Sequence, residues 1–153
     1  MARKKKNDIT DVVLNEATPT PQLITDTLIK NYMPYAMSVI MSRAIPEIDG
    51  LKPSHRKLLY TMYKMGLLTG QKTKSANIVG QTMKLNPHGD ASIYETMVRL
   101  AKGNETLLHP FVDSKGNFGK VYSRDMAYAA SRYTEAKLAP ICAEIFKDID
   151  HDT

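Results

Sequence analysis

The chain has 153 residues, of which 42% are hydrophobic and 24% are charged, and its formal net charge is +5. Such a composition is globular rather than disordered, and the length suffices for a domain with its own core. The single cysteine, Cys142, excludes an intrachain disulfide; it is typical of a reducing compartment such as the cytoplasm, where a buried thiol packs as a small apolar group. Because no apolar run approaches the ~20 residues of a membrane helix, a membrane-spanning role is not expected.

Basic residues are concentrated in the middle of the chain. Between Arg43 and Arg99 there are nine lysines and arginines against four acids, whereas the residues after Tyr133 are rich in acids. A local excess of positive charge indicates a polyanionic partner that faces this part of the molecule.

Residues 1–21 are predicted to form a flexible N-terminal arm, because a basic tip is followed by TPTPQ, whose prolines favour extended backbone. A short strand could form within the arm over residues 9–14. Apolar residues then recur at helical spacing from Gln22 to Ala44, which predicts a helix that Pro34 should kink or divide.

The next segment predicts two helices joined by a short loop. Pro53 suits the first turn of one helix and Gly66 the position past its end, while Ser75 suits the N-cap of the next. A pair of helices with basic residues is typical of a helix-turn-helix that binds DNA, although such pairs also occur in proteins that bind none. A non-catalytic DNA-binding module is therefore one alternative.

The last third of the chain predicts a helix, a β element and another helix. Asp90 suits the N-cap of the first of these helices and Gly103 should end it. The glycine-rich HPFVDSKGNFGKVYS predicts a small hairpin or wing, and EAKLAPICAEIFKDI predicts a final helix with Pro140 in its first half. The predicted fold class is α+β, mainly α with a small β wing.

The dipeptide Arg132–Tyr133 combines a potential nucleophile with a cation. An ordinary tyrosine hydroxyl has a pKa of about 10, so ionising it near neutral pH needs roughly 4 kcal/mol of help from a cation, a metal ion or a base. Arg132 could hold a phosphate oxygen and stabilise developing charge. Because adjacent side chains diverge on a regular helix or strand, the pair converges only on irregular backbone; a structural dipeptide is the alternative.

Two basic segments are candidate phosphate contacts. LKPSHRK places Lys52, His55, Arg56 and Lys57 around the start of a helix, whose free N–H groups also favour anions; a solvated basic face is the alternative. In NPHGD, His88 could be a phosphate donor or a capped loop histidine. No zinc-ligand spacing, P-loop or D-x-D pair occurs in the basic region, so a metal ion for phosphoryl transfer would come from a partner.

Five motifs carry a family resemblance: YAMSVI, SRAIPEIDGLKPSHRK, NPHGD, VDSKGNFG and SRYTEAKLA. In this order, over about residues 22–148, they resemble the N-terminal breakage–reunion region of bacterial type IIA DNA topoisomerase A subunits, from either DNA gyrase or topoisomerase IV. The resemblance implies an ATP-dependent isomerase that makes a transient double-strand break. It also implies a winged-helix DNA-cleavage domain over residues 22–153, a fragment without the tower, coiled-coil gate and wrapping domain.

The resemblance assigns roles to single residues and implies partners. Tyr133 would attack a DNA phosphate to form a 5′-phosphotyrosyl link, and Arg132 would bind the scissile phosphate. Partners would be double-stranded DNA, a second copy at a homodimeric DNA gate, and a B subunit that binds ATP and Mg²⁺, with no metal ligands in this chain. The implied DNA contacts are Arg43, Lys52, His55, Arg56, Lys57 and His88.

Three positions depart from the family pattern, and a fourth, Glu95, keeps the family's acid beside one of them. Asn86 replaces the first histidine of H-P-H-G-D and can be neither cationic nor an acid. Ala91 stands where the family commonly has serine, while Glu95 keeps the acid that follows; such a pair resembles the anchor for the water–metal bridge of quinolone drugs, so weak quinolone trapping is expected. Ser114 replaces a glycine, which could alter the turn geometry.

Overall fold

The computed structural model describes residues 20–87, 89–101, 107–120 and 127–151. The chain divides into two compact units, one ending at Met37 and the other starting at Ser38. Nearly all of the predicted arm, its strand, His88 and Gly103 lie outside the described residues. Among the helices that are described, none has the length and apolar character needed to cross a membrane.

Helix α1 spans Ile24–Val39 and continues into a π-helical turn over Ile40–Ala44. This agrees with the helix predicted over Gln22 to Ala44. Pro34 lies inside α1 and removes one helical hydrogen bond without ending the helix. None of the residues of α1 is buried, so α1 adds nothing to the core.

Three helices of the second unit confirm the predicted helical segments: α2 over Pro53–Lys64, α3 over Ser75–Thr82 and α4 over Asp90–Leu100. Gly66 follows the end of α2 with a φ of +70°, a conformation that favours glycine. The predicted N-caps of α3 and α4 are each wrong by one residue, because Lys74 and Gly89 hold those positions.

Apolar side chains from these helices meet side chains of a small sheet in one core. Since burying a large aliphatic side chain contributes about 1.5–3 kcal/mol, this core accounts for the packing of α2, α3 and α4. Its largest fully buried apolar members are Leu58, Leu59, Met62, Ile78, Met97, Val112, Leu138 and Cys142. The prediction that Cys142 fills core space is confirmed.

The described residues include an antiparallel sheet of three strands in the order β1–β3–β2: β1 is Thr73–Lys74, β2 is Val112–Lys115 and β3 is Glu135–Leu138. A mainly helical chain with a small sheet confirms the predicted α+β class. Strand β2 lies in the segment predicted as a hairpin or wing and pairs with the distant β3, from Val112 opposite Leu138 to Lys115 opposite Glu135. Residues 121–123 of that segment lie outside the described residues.

The helix predicted for EAKL is wrong, since these residues form β3. Ala136 and Leu138 are buried while Glu135 and Lys137 are half-buried, which is the period-two pattern of a strand. Pro140 disfavours helix in the residue before it, so a helix α5 forms only beyond it, over Cys142–Ile145.

Candidate nucleic-acid interface

A polar cleft of about 720 Å³ opens where the π-helical turn, the start of α2 and the start of α4 meet. Two of the predicted DNA contacts, Arg43 and Lys57, line this cleft, and both are exposed. Pro53 and Gly89 in its wall mark the starts of α2 and α4, where the helix dipoles are positive. An anion in the cleft would therefore meet two cations and two helix N-termini.

Hydroxyl groups complete the cleft wall, and these were not singled out in the sequence. Ser42, Ser92 and Thr96 each donate to a carbonyl of their own helical segment, at 2.6, 2.7 and 2.9 Å, and Ser54 also lines the cleft. Each hydroxyl oxygen can still accept a hydrogen bond. The four-residue spacing of Ser92 and Thr96 on α4 is the signal that could have indicated a shared face.

Asn86, the departure from the family's histidine, is buried and also lines the cleft. Its backbone N–H donates to the Thr82 carbonyl at 2.9 Å, just beyond the end of α3. The position therefore presents a neutral amide to the cleft, where a histidine could have carried a charge. His88, the predicted contact two residues on, lies outside the described residues.

Lys52, His55 and Arg56 lie at the start of α2 but are not in the described cleft wall. The Lys52 backbone N–H donates to His55 Nδ1 at 3.4 Å, so Nδ1 acts as an acceptor and the ring proton belongs on Nε2. Burial, and then the positive charges of Lys52 and Arg99, lower the pKa of His55. His55 is thus a neutral donor at neutral pH.

Arg56 is held by an ion pair. Its guanidinium donates to Asp49 at 2.6 Å, and both side chains are partly exposed, so the pair adds little stability. Arg56 also borders a second, apolar groove of about 390 Å³ whose wall includes Tyr60 and Phe146. Its position thus differs from that of Lys57, which borders both the groove and the cleft.

Arg132 and Tyr133 lie on a turn over residues 131–133, directly before β3. The Tyr133 N–H donates to the Ala130 carbonyl at 2.9 Å, while the Tyr133 side chain is 66% exposed. The guanidinium carbon of Arg132 is 4.6 Å from the centre of the Tyr133 ring, a distance at which a cation is attracted to the ring face. The irregular backbone needed for the two side chains to converge is therefore present.

The start of α3 anchors this turn through backbone hydrogen bonds. The N–H groups of Ser75 and Ala76 donate to the carbonyls of Thr134 and Ser131 at 2.9 and 3.1 Å. The first N–H groups of a helix have no partner within it, so the turn carbonyls satisfy two donors that would otherwise need water or a cap. The turn is thus fixed to the helical core on both sides of Tyr133.

An acid two residues after Tyr133 is paired with two cations. Glu135 accepts from Lys74 at 2.9 Å and lies 3.4 Å from Lys115. The hydrogen bond from Lys74, followed by the charge of Lys115, lowers the pKa of the Glu135 carboxyl. The carboxylate is thus offset by its partners, and the surface beside Tyr133 keeps its positive character.

The predicted drug-contact positions, Ala91 and Glu95, are both exposed on α4. The Glu95 carboxylate pairs with the Arg99 guanidinium at 2.7 Å, one turn further along α4. The acid at this position is therefore present and already held by a cation on the same helix.

The described residues contain no group of three or more His, Cys, Asp or Glu side chains that could hold a metal ion. The described residues of the cleft wall carry guanidinium, ammonium, hydroxyl and amide groups but no carboxylate, whereas Mg²⁺ in proteins is usually held by one or two carboxylates. The residues of the cleft do not fit a resident Mg²⁺.

The described residues form an α+β domain with a basic cleft and an exposed Arg–Tyr turn. Residues 43–153 match the family formed by the A subunits of DNA gyrase and topoisomerase IV. The chain belongs to that family.

Several DNA gyrase A subunits are close in sequence. That of Dehalogenimonas lykanthroporepellens is 48% identical over 136 residues, which cover 87% of this chain and 16% of the relative. Those of Thermotoga maritima and Borreliella burgdorferi are 47% and 49% identical over 133 residues, which cover 85% of this chain and 16% of each relative. The chain thus spans about one sixth of the length of the relatives that it matches.

Proposed function

We propose that this chain is the DNA-cleaving part of a type II topoisomerase A subunit, and that Tyr133 is its nucleophile. One observation carries the proposal: Tyr133 stands exposed on an anchored turn with the Arg132 guanidinium 4.6 Å from its ring centre. Membership of the family of gyrase and topoisomerase IV A subunits supports it. We further propose that α2, α3, α4 and the sheet form a winged-helix DNA-cleavage domain, with residues 1–21 as a separate arm.

In the proposed reaction, the Tyr133 hydroxyl oxygen attacks a backbone phosphorus of DNA. A bond forms between this oxygen and phosphorus as the bond from phosphorus to the 3′ oxygen breaks. The tyrosine proton is lost, the leaving 3′ oxygen takes up a proton, and the strand end remains as a 5′-phosphotyrosyl link. Attack by the 3′-OH reverses the step, so resealing needs no ATP.

Arg132 is proposed to bind the scissile phosphate. A guanidinium can donate two parallel hydrogen bonds to phosphate oxygens and stabilise the charge that builds on them during attack. The 4.6 Å between the guanidinium carbon and the centre of the Tyr133 ring supports this role. Mg²⁺, if bound through a partner, would add charge stabilisation to the same phosphate.

The cleft is proposed to hold the flanking DNA backbone. Arg43 and Lys57 supply charge, and hydroxyl groups such as Ser54 supply hydrogen bonds. The neutral His55 ring is proposed to donate a hydrogen bond from Nε2 to the DNA backbone. Lys52, Arg56 and His88 are proposed as further phosphate contacts.

The remaining parts of the enzyme are proposed to come from partners. A second copy of the chain would bring the second tyrosine, and a B subunit would bring ATP and Mg²⁺, in a holoenzyme of two A and two B subunits. The three relatives reported above are all A subunits of DNA gyrase, which favours gyrase over topoisomerase IV. An assay for the introduction of negative supercoils by the holoenzyme would distinguish gyrase from topoisomerase IV.

The test uses the holoenzyme whose A subunits contain this segment, together with plasmid DNA. Tyr133→Phe should abolish the covalent protein–DNA adduct while leaving DNA affinity within about twofold, because only the hydroxyl is lost. Tyr128→Phe is the matched control, since Tyr128 is also exposed and lies five residues earlier on the same segment. It should form the adduct as the parent does.

Two outcomes would contradict the proposal. An adduct that persists in Tyr133→Phe would move the nucleophile elsewhere. An adduct absent from both the parent and the control, with DNA still bound, would favour a non-catalytic DNA-binding module.

A further inference from the structure

Three hydroxyl groups meet beneath the Arg132–Tyr133 turn. The side chain of Thr134 is fully buried, and its oxygen lies 2.8 Å from Ser75 Oγ and 3.0 Å from the Tyr94 hydroxyl. The Tyr94 hydroxyl also lies 2.7 Å from the Ala129 carbonyl. These contacts join α3, α4 and the chain on both sides of Tyr133.

The position of the Tyr94 hydroxyl is set by packing around its ring. Tyr94 is 6% exposed, with Phe118 at 6.2 Å in a tilted arrangement and Tyr128 at 5.4 Å edge-on, measured between ring centres. Both geometries are favourable for aromatic pairs. A ring held in this way presents its hydroxyl at one point, from which it contacts Ala129 before the turn and Thr134 after it.

The burial of these hydroxyls calls for an explanation other than packing. Removing a hydroxyl from water is costly unless it is hydrogen-bonded, and the bonds that join Thr134 to Ser75 and Tyr94 offset this cost only while the three groups keep their positions. The backbone bonds from Ser75 and Ala76 already attach the turn to α3. The hydroxyl contacts therefore add a second constraint, and it acts on the residue directly after Tyr133.

We propose that Tyr94 and Thr134 are positioning residues for the reaction of Tyr133. They act through the turn, since Tyr94 joins Ala129 to Thr134 and so fixes the two ends of the segment that carries Arg132 and Tyr133. The inference deepens the proposed function and depends on it. A misplacement of about 1 Å at a reacting group costs on the order of 100-fold in rate, so small shifts of the turn have large effects.

The experiment uses the holoenzyme of A and B subunits, and it measures two quantities for each variant: DNA affinity and the single-turnover rate of adduct formation. Thr134→Val, which keeps the shape and removes the hydroxyl, should slow adduct formation by about 10- to 100-fold with DNA affinity within about twofold. Tyr94→Phe should act in the same direction. Thr134→Ser restores the hydroxyl and should return the rate to within about threefold of the parent.

The matched control is Thr82→Val. Thr82 is also fully buried, and its hydroxyl donates to the Ile78 carbonyl at 2.8 Å within α3, away from the turn. The same atoms are removed, and because this hydroxyl bonds within α3 rather than to the turn, the adduct rate should stay within about twofold of the parent.

The inference fails if Thr134→Val and Tyr94→Phe form the adduct as fast as Thr82→Val, or if they lose rate only in proportion to DNA affinity. Should Thr134→Val not fold, Tyr94→Phe decides the question, because it keeps the packed ring. Tyr133→Phe separates the two proposals: an adduct lost in Tyr133→Phe but unaffected in the positioning variants overturns this inference alone.

Discussion

In the cleft, Arg43 and Lys57 present exposed, flexible side chains, whereas on the turn Arg132 and Tyr133 are carried by backbone that is fixed at both ends. The cleft wall is polar and open to an anion. The turn stands on a fully buried threonine and on the first N–H groups of α3. Helix α4 contributes to both regions, with Ser92 and Thr96 in the cleft and Tyr94 beneath the turn.

The difference separates two tasks. Long cations in water attract a phosphate backbone over distance and tolerate variation in its position, so they suit binding that is sensitive to salt. A nucleophile must be held within a fraction of an ångström of its target, and this requires rigid support. Changes in the cleft should therefore alter affinity, and changes on the turn should alter rate.

Among variants that keep the Tyr133 hydroxyl, the largest effect is expected at Arg132. Arg132→Lys keeps the charge but loses the paired donors of the guanidinium, so adduct formation should slow by about 10²- to 10³-fold while DNA affinity changes little. Single-turnover cleavage together with a binding titration measures both. A fall in DNA affinity without a fall in the rate of adduct formation would assign Arg132 to DNA binding. The turn and the cleft would then not differ in their tasks.

A smaller effect is expected for the cleft cations. Lys57→Gln and Arg43→Gln should each make the negative slope of log affinity against log salt shallower by about 0.9, and the double variant by about 2. The rate of adduct formation from bound DNA should be nearly unchanged. Lys147→Gln, which removes an exposed charge far along the chain from the cleft residues, is the control for net charge. Equal slopes for Lys57→Gln and Lys147→Gln would exclude a phosphate contact in the cleft.

A change at Ala91 of α4 tests the expected weak trapping by quinolone drugs. Ala91→Ser should increase quinolone-stabilised DNA cleavage by roughly fivefold, the effect of about one hydrogen bond, because Glu95 is already present four residues on. Ala143→Ser, at an exposed alanine of α5, is the control. Unchanged drug sensitivity in Ala91→Ser would show that the missing hydroxyl does not limit trapping.

The smallest effect concerns His55 and acid stability. Because the folded-state pKa of His55 is lowered, the unfolded chain takes up its proton first, so the free energy of unfolding should fall as the pH drops below about 6.5. His55→Gln should show a weaker fall over the same range in urea unfolding. Parallel pH profiles for the two proteins would mean that His55 is not responsible.

The local sequence was enough to predict α1 to α4 and the class of the fold, but not the start of the last helix. Pro53 and Gly66 bound α2 as their conformational preferences require. Strand β3 was missed because EAKL has good helix formers; its pairing with β2, about twenty residues earlier, overrides that local preference.

Charge and motif order predicted the cations of the cleft and the Arg132–Tyr133 pair. They did not predict the buried side chains beneath the turn that carries this pair. Tyr94 and Thr134 are ordinary residues in sequence, and their contact spans forty positions. The alternation of Thr134 with Ala136 and Leu138 as buried positions was the available signal. It becomes visible only once that segment is recognised as a strand.

The most direct measurement is to identify the residue that carries DNA in the covalent adduct. Cleavage complexes would be trapped by denaturation, the DNA trimmed with nuclease, and the protein digested with trypsin, which cuts after Arg132 and Lys137 and so places Tyr133 and Tyr128 in different peptides. Mass spectrometry should find the nucleotide phosphate on Tyr133. A phosphate on Tyr128 or any other residue would contradict the account.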